Sequence, residues 1–261
     1  MQGTGTPVLL IDSNQSPHHY SLRPSQRSTL AHSDILFWVG DELESFMPRV
    51  LNAIPKKVKV IELIEASGLT LLEPRRDGKH NHHHDAHHDG DHDAHIWLSI
   101  DNAIVMANVM ASTLSQFDKN RENIYQSNLT KLTKRLAQLK KDIQHNFKTS
   151  NFNYLVYHDA FQYFENLIHT KPLAAITTDE EQAPGMRHLS EINQLISKNK
   201  INCLIYNTSS VPAIVRNLSP QKGMKMIYLE PLGQDFKPGP DLYFDLLKSL
   251  ATGYQQCRKA D

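Results

Sequence analysis

KNRENIYQSNLTKLTKRLAQLKKDIQHNFK, residues 119–148, decides the fold by its pattern and by where it lies. Its apolar positions Tyr125, Leu129, Leu132, Leu136, Leu139, Ile143 and Phe147 step by three and four, with Lys, Arg, Gln and Asp on the other faces. Neither Pro nor Gly interrupts it. A helix of this length would span about 45 Å, enough to run along two halves of a molecule. A coiled-coil seam is the competing reading, but the stripe covers barely four heptads. The expectation is a backbone helix joining two α/β lobes.

Short apolar or β-branched runs stand on both sides of that helix. VLLI (8–11), ILFWVG (35–40) and VKVIELI (58–64) precede it; YLVYH (154–158), LAAITT (173–178), CLIYN (203–207) and MIYLE (226–230) follow. Continuous rather than alternating apolar strands, separated by helix-period stretches, read as parallel sheets covered on both faces. Further helices are expected at 186–199, 211–218 and 242–257. The class is α/β, with two (β/α) lobes.

Composition narrows the functions such a chain can have. Its 261 residues, 39% of them hydrophobic, suffice for a substantial core. Lys plus Arg equals Asp plus Glu at 28 each, which argues against nucleic acid or an anionic membrane as the main partner. No apolar run approaches the roughly 20 residues that span a bilayer. MQGTGTPVLLIDS lacks the basic start and long apolar segment of a signal peptide. The two cysteines, Cys203 and Cys257, have no second cysteine or histidine at ligand spacing. They could pair in an oxidising compartment or remain two buried thiols.

Eight of the fifteen histidines fall in HNHHHDAHHDGDHDAH, residues 80–95. Imidazole is the commonest protein ligand for zinc, copper and nickel, so this density points to transition-metal handling; a merely solvated polar loop is the bland alternative. Four residues stand apart from the run. His18 follows the VLLI segment across a turn, His95 ends the run and precedes a helix, and His158 and Glu230 end the runs YLVYH and MIYLE. In parallel α/β sheets ligands bind beyond the carboxyl ends of strands, which is where these side chains are expected. Taken singly, His18 also reads as a solvated turn residue competing with His19, and His95 as the last member of the loop. His158 reads equally as a hydrogen-bonded core histidine, and Glu230 as an exposed carboxylate.

SPHHYSLRPSQ (16–26), HIWLS (95–99), YHDAFQYFE (157–165), PGMRHLSEI (184–192) and LEPLG (229–233), in this order and with a histidine-rich insert before HIWLS, are similar to one family over nearly the whole chain. They resemble the zinc-binding periplasmic component of bacterial zinc ABC importers, the ZnuA-like solute-binding proteins. The resemblance implies two lobes joined by a rigid helix, with zinc held in the cleft between them. It implies His18, rather than His19, as the first ligand, His95 as the second and His158 as the third. The family's aspartate in D-P-L-G is Glu230 here, so the fourth ligand is Glu230 or a water; Pro17 stands where some members carry a glutamate. The family's paired cysteines fall on Cys203 and Cys257, implying a disulfide. Relative to that family the opening strand and helix and the signal peptide are missing ahead of Met1, so the chain looks truncated. The implied domains are an N-terminal lobe at 1–117 with the histidine-rich loop at 77–94, a linker helix at 118–149 and a C-terminal lobe at 150–261.

Metal chemistry bears on the choice of ion separately. Three imidazoles with at most one carboxylate suit tetrahedral zinc, whereas manganese and calcium prefer larger oxygen shells. Related manganese receptors carry a carboxylate where His158 stands, and manganese or another divalent metal is the alternative cargo. His80, His82, His83, His84, His87, His88 and His92 are expected to bind further zinc weakly beside the cleft, with Asp159 a candidate to orient an imidazole. A zinc metalloenzyme is the rival class, but HExxH, phosphate-loop and G-x-S-x-G motifs are absent. The expectation is a monomeric, non-enzymatic periplasmic receptor that passes Zn2+ to a membrane permease.

Overall fold

The structure is a computed structural model, and it describes residues 1–11, 15–18, 20–75, 92–147, 152–177, 184–208, 213–218 and 223–259. The chain divides into two compact units, 1–138 and 139–261. The division falls inside the long helix α4, Glu122–Asn146, which the 119–148 pattern anticipated. A separate 3-10 turn, Lys119–Arg121, precedes α4.

The first unit is built on a parallel pair, β1 (Ile35–Trp38) and β2 (Lys59–Glu62), in the register Ile35 opposite Lys59 through Trp38 opposite Glu62. Helices α1 (Pro24–Ala31) and α2 (Met47–Leu51) stand before and between them. Pro24 opens α1, where its missing N–H costs nothing, and the Gln26 side chain accepts from Arg23 N at 2.8 Å. Leu22, Leu30, Leu36, Trp38, Met47 and Val58 form the core beneath these elements. Helix α3 (Ile100–Phe117) is capped by Ser99, whose hydroxyl accepts from Asn102 N. Asn102 also exchanges two hydrogen bonds with the backbone of Thr70, which secures the chain on the near side of the histidine-rich insert.

The expected strand at 8–11 does not form. Val8 and Leu9 are 74% and 73% exposed, and β1 pairs only with β2 among the described residues. A strand needs a neighbour for its backbone N–H and C=O groups, and an apolar run alone does not supply one. Leu10 is held instead by side chains: it packs on the core, and its carbonyl accepts from Gln26 Nε2 at 2.6 Å.

The second unit carries a four-stranded parallel sheet. Its strands are β3 (Tyr154–His158), β4 (Ala174–Thr177), β5 (Cys203–Tyr206) and β6 (Lys225–Tyr228), in the spatial order β4-β3-β5-β6. Helices α5 (Gln162–Leu167), α6 (Met186–Lys198), α7 (Ala213–Leu218) and α8 (Leu242–Arg258) alternate with them. All five residues of β3 are buried, as a strand covered on both faces requires. Leu155 and Tyr157 join Ile192 and Ile196 of α6 in one core cluster. Tyr154, which alternates with them, faces the other way: its hydroxyl donates to Glu165 Oε1 at 2.8 Å, and Tyr254 of α8 donates to the same oxygen at 2.7 Å. Cys203 at the start of β5 and Cys257 near the end of α8 form a disulfide, their Cα atoms 5.4 Å apart. The final helix is thereby tied to the middle of the sheet.

Candidate metal centre

The first unit brings two of the expected ligands together. His18 lies at a bend ahead of α1, half-buried, just after the buried Pro17. Its backbone is pinned on both sides: its N–H donates to Ser16 Oγ at 3.4 Å, and its carbonyl accepts from Ser45 Oγ at 3.2 Å. His95 is 7% exposed and caps the 3-10 turn Ile96–Leu98 that leads into α3. The two imidazoles stand with ring centroids 5.4 Å apart and planes tilted by 55°, and Trp97 lies 5.4 Å from His95 on another side.

Asp93 orients His95. One carboxylate oxygen, Oδ1, accepts from His95 N at 3.0 Å and lies 2.7 Å from His95 Nδ1. Both side chains are buried. With a carboxylate acceptor at Nδ1, the proton is assigned there, and Nε2 keeps the lone pair a metal would use. This is the outer-sphere arrangement expected behind a metal-bound histidine. The sequence reading missed Asp93 because it sits among the run's many aspartates; its place two residues before a histidine, within reach of that residue's N–H, was the available signal.

In the second unit His158 ends β3, opposite Thr177 of β4, and is 5% exposed. The sheet order makes its position informative. From β3 the chain passes to β4 on one side and then returns to β5 on the other, so β3 and β5 flank the topological switch point, where parallel sheets open a crevice at their carboxyl ends. Ala160 N donates to the His158 carbonyl at 2.9 Å, turning the chain sharply toward α5. Asp159 is half-buried beside it.

Glu230 lies two residues beyond β6, 6% exposed. Its carboxylate folds its own loop: Oε1 accepts from Leu232 N at 2.8 Å and Oε2 from Gln234 N at 2.7 Å. Desolvation raises its carboxyl above the ordinary value, against the lowering effect of these backbone donors. The loop turns through Gly233 at φ +83°, where a Cβ would come within 2.6 Å of Leu242 Cδ2. Of the accessory histidines, His92 is described, with Nδ1 3.3 Å from Glu42 Oε1. His80, His82, His83, His84, His87 and His88, together with His19, lie outside the described residues.

Residues 1–257 match the family described as zinc-uptake complex component A, periplasmic. The chain belongs to the ZnuA family. It is 30% identical over 288 residues to the high-affinity zinc uptake system protein ZnuA of Brucella abortus (strain 2308), an alignment covering 98% of this chain and 86% of that one. Solved structures share the fold. A zinc-bound ZnuA deletion mutant matches with a TM-score of 0.79 at 21% identity, over 95% of this chain and 88% of the other. A mutant of the laminin-binding adhesin Lmb from Streptococcus agalactiae matches with a TM-score of 0.77 at 21% identity, over 95% and 89% of the two chains. The two-lobed α/β architecture with parallel sheets is thus that of the ZnuA-like solute-binding proteins.

Proposed function

We propose that this ZnuA-family chain is the zinc receptor of an ABC importer: it captures periplasmic Zn2+ and delivers it to the membrane permease. The observation that carries the reading is the convergence of His18 on a buried His95 whose tautomer is set by Asp93. Imidazole pairs of this kind suit a borderline-soft ion such as zinc. His158, at the switch point of the second unit's sheet, is proposed as the third ligand, and residues 118–149 as the linker between lobes. Glu230 is proposed as the fourth ligand only if its carboxylate leaves its loop; with both oxygens accepting from the backbone, a water is the better candidate. The chain works as a monomeric, non-enzymatic binding component.

Competition titration against a chromophoric chelator tests this on His18→Ala, His95→Ala and His158→Ala. Each substitution is expected to weaken zinc binding by at least a hundredfold while the far-ultraviolet circular dichroism is unchanged. Parental affinity in any two of the three would overturn the ligand set.

A further inference from the structure

Of the three proposed histidine ligands, His18 is the one that no regular element carries. His95 caps a 3-10 turn and His158 ends β3, whereas His18 lies at a bend outside any helix or strand. Its contact with Ser16, His18 N to Ser16 Oγ at 3.4 Å, is local to the bend and moves with it. Ser45 ties it to the rest of the unit: from 27 residues away in the chain, its hydroxyl donates to the His18 carbonyl at 3.2 Å. Both residues line the same groove.

Ser45 is exposed, and a hydroxyl in contact with water holds a carbonyl only where its own backbone is already fixed. The neighbouring Glu44 does the fixing. Its Oε2 accepts from Gly40 N at 3.1 Å and its Oε1 from Val39 N at 3.4 Å. Its own N–H donates to the Gly40 carbonyl at 2.9 Å, and its carbonyl accepts from Met47 N at 2.8 Å, where α2 starts. The carboxyl is turned inward, since desolvation pushes it up to about 7. These bonds gather the whole turn between β1 and α2 about one residue. The turn has little room to shift: a Cβ on Gly40, at φ +157°, would lie 2.7 Å from Ile64 Cγ2 and 3.0 Å from Glu62 Oε1. Glu62, the last residue of β2, also accepts from Asp41 N, so the turn is tied to both strands of the unit's sheet.

We propose that Glu44 and Ser45 are positioning residues for zinc capture: Glu44 knots the turn after β1, and Ser45, presented from that knot, holds the His18 backbone in place. The inference rests on the reading of His18 as a zinc ligand. Neither residue need touch the ion. Together they remove conformational freedom from a ligand that would otherwise become ordered only on binding, at a loss of affinity.

The test is competition titration of zinc on the full chain, reading the tight event in Ser45→Ala, Ser45→Thr, Glu44→Ala, Glu44→Gln, the double variant Glu44→Ala with Ser45→Ala, and His18→Ala. Urea unfolding of each zinc-free protein runs alongside. Ser45→Ala is expected to weaken binding about tenfold, the lower end for losing an outer-sphere partner of a metal ligand, with its unfolding midpoint unchanged because its bond is exposed. Ser45→Thr keeps the hydroxyl and should recover most of that loss. Glu44→Gln keeps one acceptor oxygen and should bind more tightly than Glu44→Ala. Because Glu44 acts through Ser45, the double variant should fall no further than Glu44→Ala alone, about tenfold rather than a hundredfold below the parent. Parental affinity in Ser45→Ala, or losses that multiply in the double variant, would overturn the positioning role, whatever Glu44→Ala does to stability. Parental affinity in His18→Ala would overturn the ligand reading instead.

Discussion

Removing the Asp93 carboxylate tests whether the receptor's affinity depends on an orienting residue that never touches the metal. In Asp93→Ala the Nδ1 position of His95 loses an acceptor at 2.7 Å and the His95 backbone N–H loses one at 3.0 Å. The imidazole is then free to adopt the other tautomer and to turn, in a pocket that leaves it only 7% exposed. Loss of an outer-sphere partner of a metal-bound histidine costs about 10–100-fold in affinity, or about 1.4–2.7 kcal/mol. Asp93→Asn keeps an oxygen in place but not its charge, so it should lie between the parent and the alanine variant. Zinc competition titrations give the affinities, and urea unfolding of the zinc-free protein measures the structural cost separately. If Asp93→Ala destabilises the fold yet binds zinc within twofold of the parent, Asp93 only caps a turn and the orienting role is refuted.

Three further outcomes follow from the packing. Breaking Cys203–Cys257 by alanine at both positions should destabilise the chain by about 4 kcal/mol, since the bond closes a separation of 54 residues; a loss under 1 kcal/mol in chemical unfolding would contradict this. Glu165→Ala removes the oxygen that accepts from both Tyr154 and Tyr254 in a fully buried position, and should cost about 2–6 kcal/mol, with Glu165→Gln recovering part of it. Glu44 should make stability fall with rising pH: desolvation, with the Glu62 charge adding to it, pushes its carboxyl up to about 7 from 4.5. The folded state then keeps a proton that the unfolded chain has released, so stability is fully present below about 4.5 and is lost as pH rises through about 7. Discounted for partial exposure, the effect is about 1–3 kcal/mol between pH 5 and 8, and Glu44→Gln should remove that slope.

What the sequence made legible, and what it hid, follows from how far each feature depends on contacts. The long helix was readable because a stripe from Tyr125 to Phe147 repeats without Pro or Gly, and periodicity is a local property. YLVYH and CLIYN were readable because strands buried on both faces are apolar throughout. VLLI carries the same local signal and forms no strand, since pairing is decided by a neighbour and not by the segment itself. His18 and His95 could be named from motif and spacing, but Asp93 could not be separated from the other aspartates of the run until its oxygen was seen against His95. Glu230 could be placed at a strand end from the run MIYLE, but that both its oxygens accept from the backbone, at Leu232 N and Gln234 N, depends on a loop whose course the sequence does not show.

The two pairs, Asp93 with His95 and Glu42 with His92, carry this one step further. Both set a histidine of the same run beside a carboxylate, and composition cannot rank them. A difference of 0.6 Å between them, 2.7 against 3.3 Å, separates a contact at charge-assisted hydrogen-bond length from a looser one. Rank among the histidines therefore comes from what holds each imidazole: His95 is buried with Nδ1 2.7 Å from Asp93, while His92 is 38% exposed and stands 3.3 Å from Glu42.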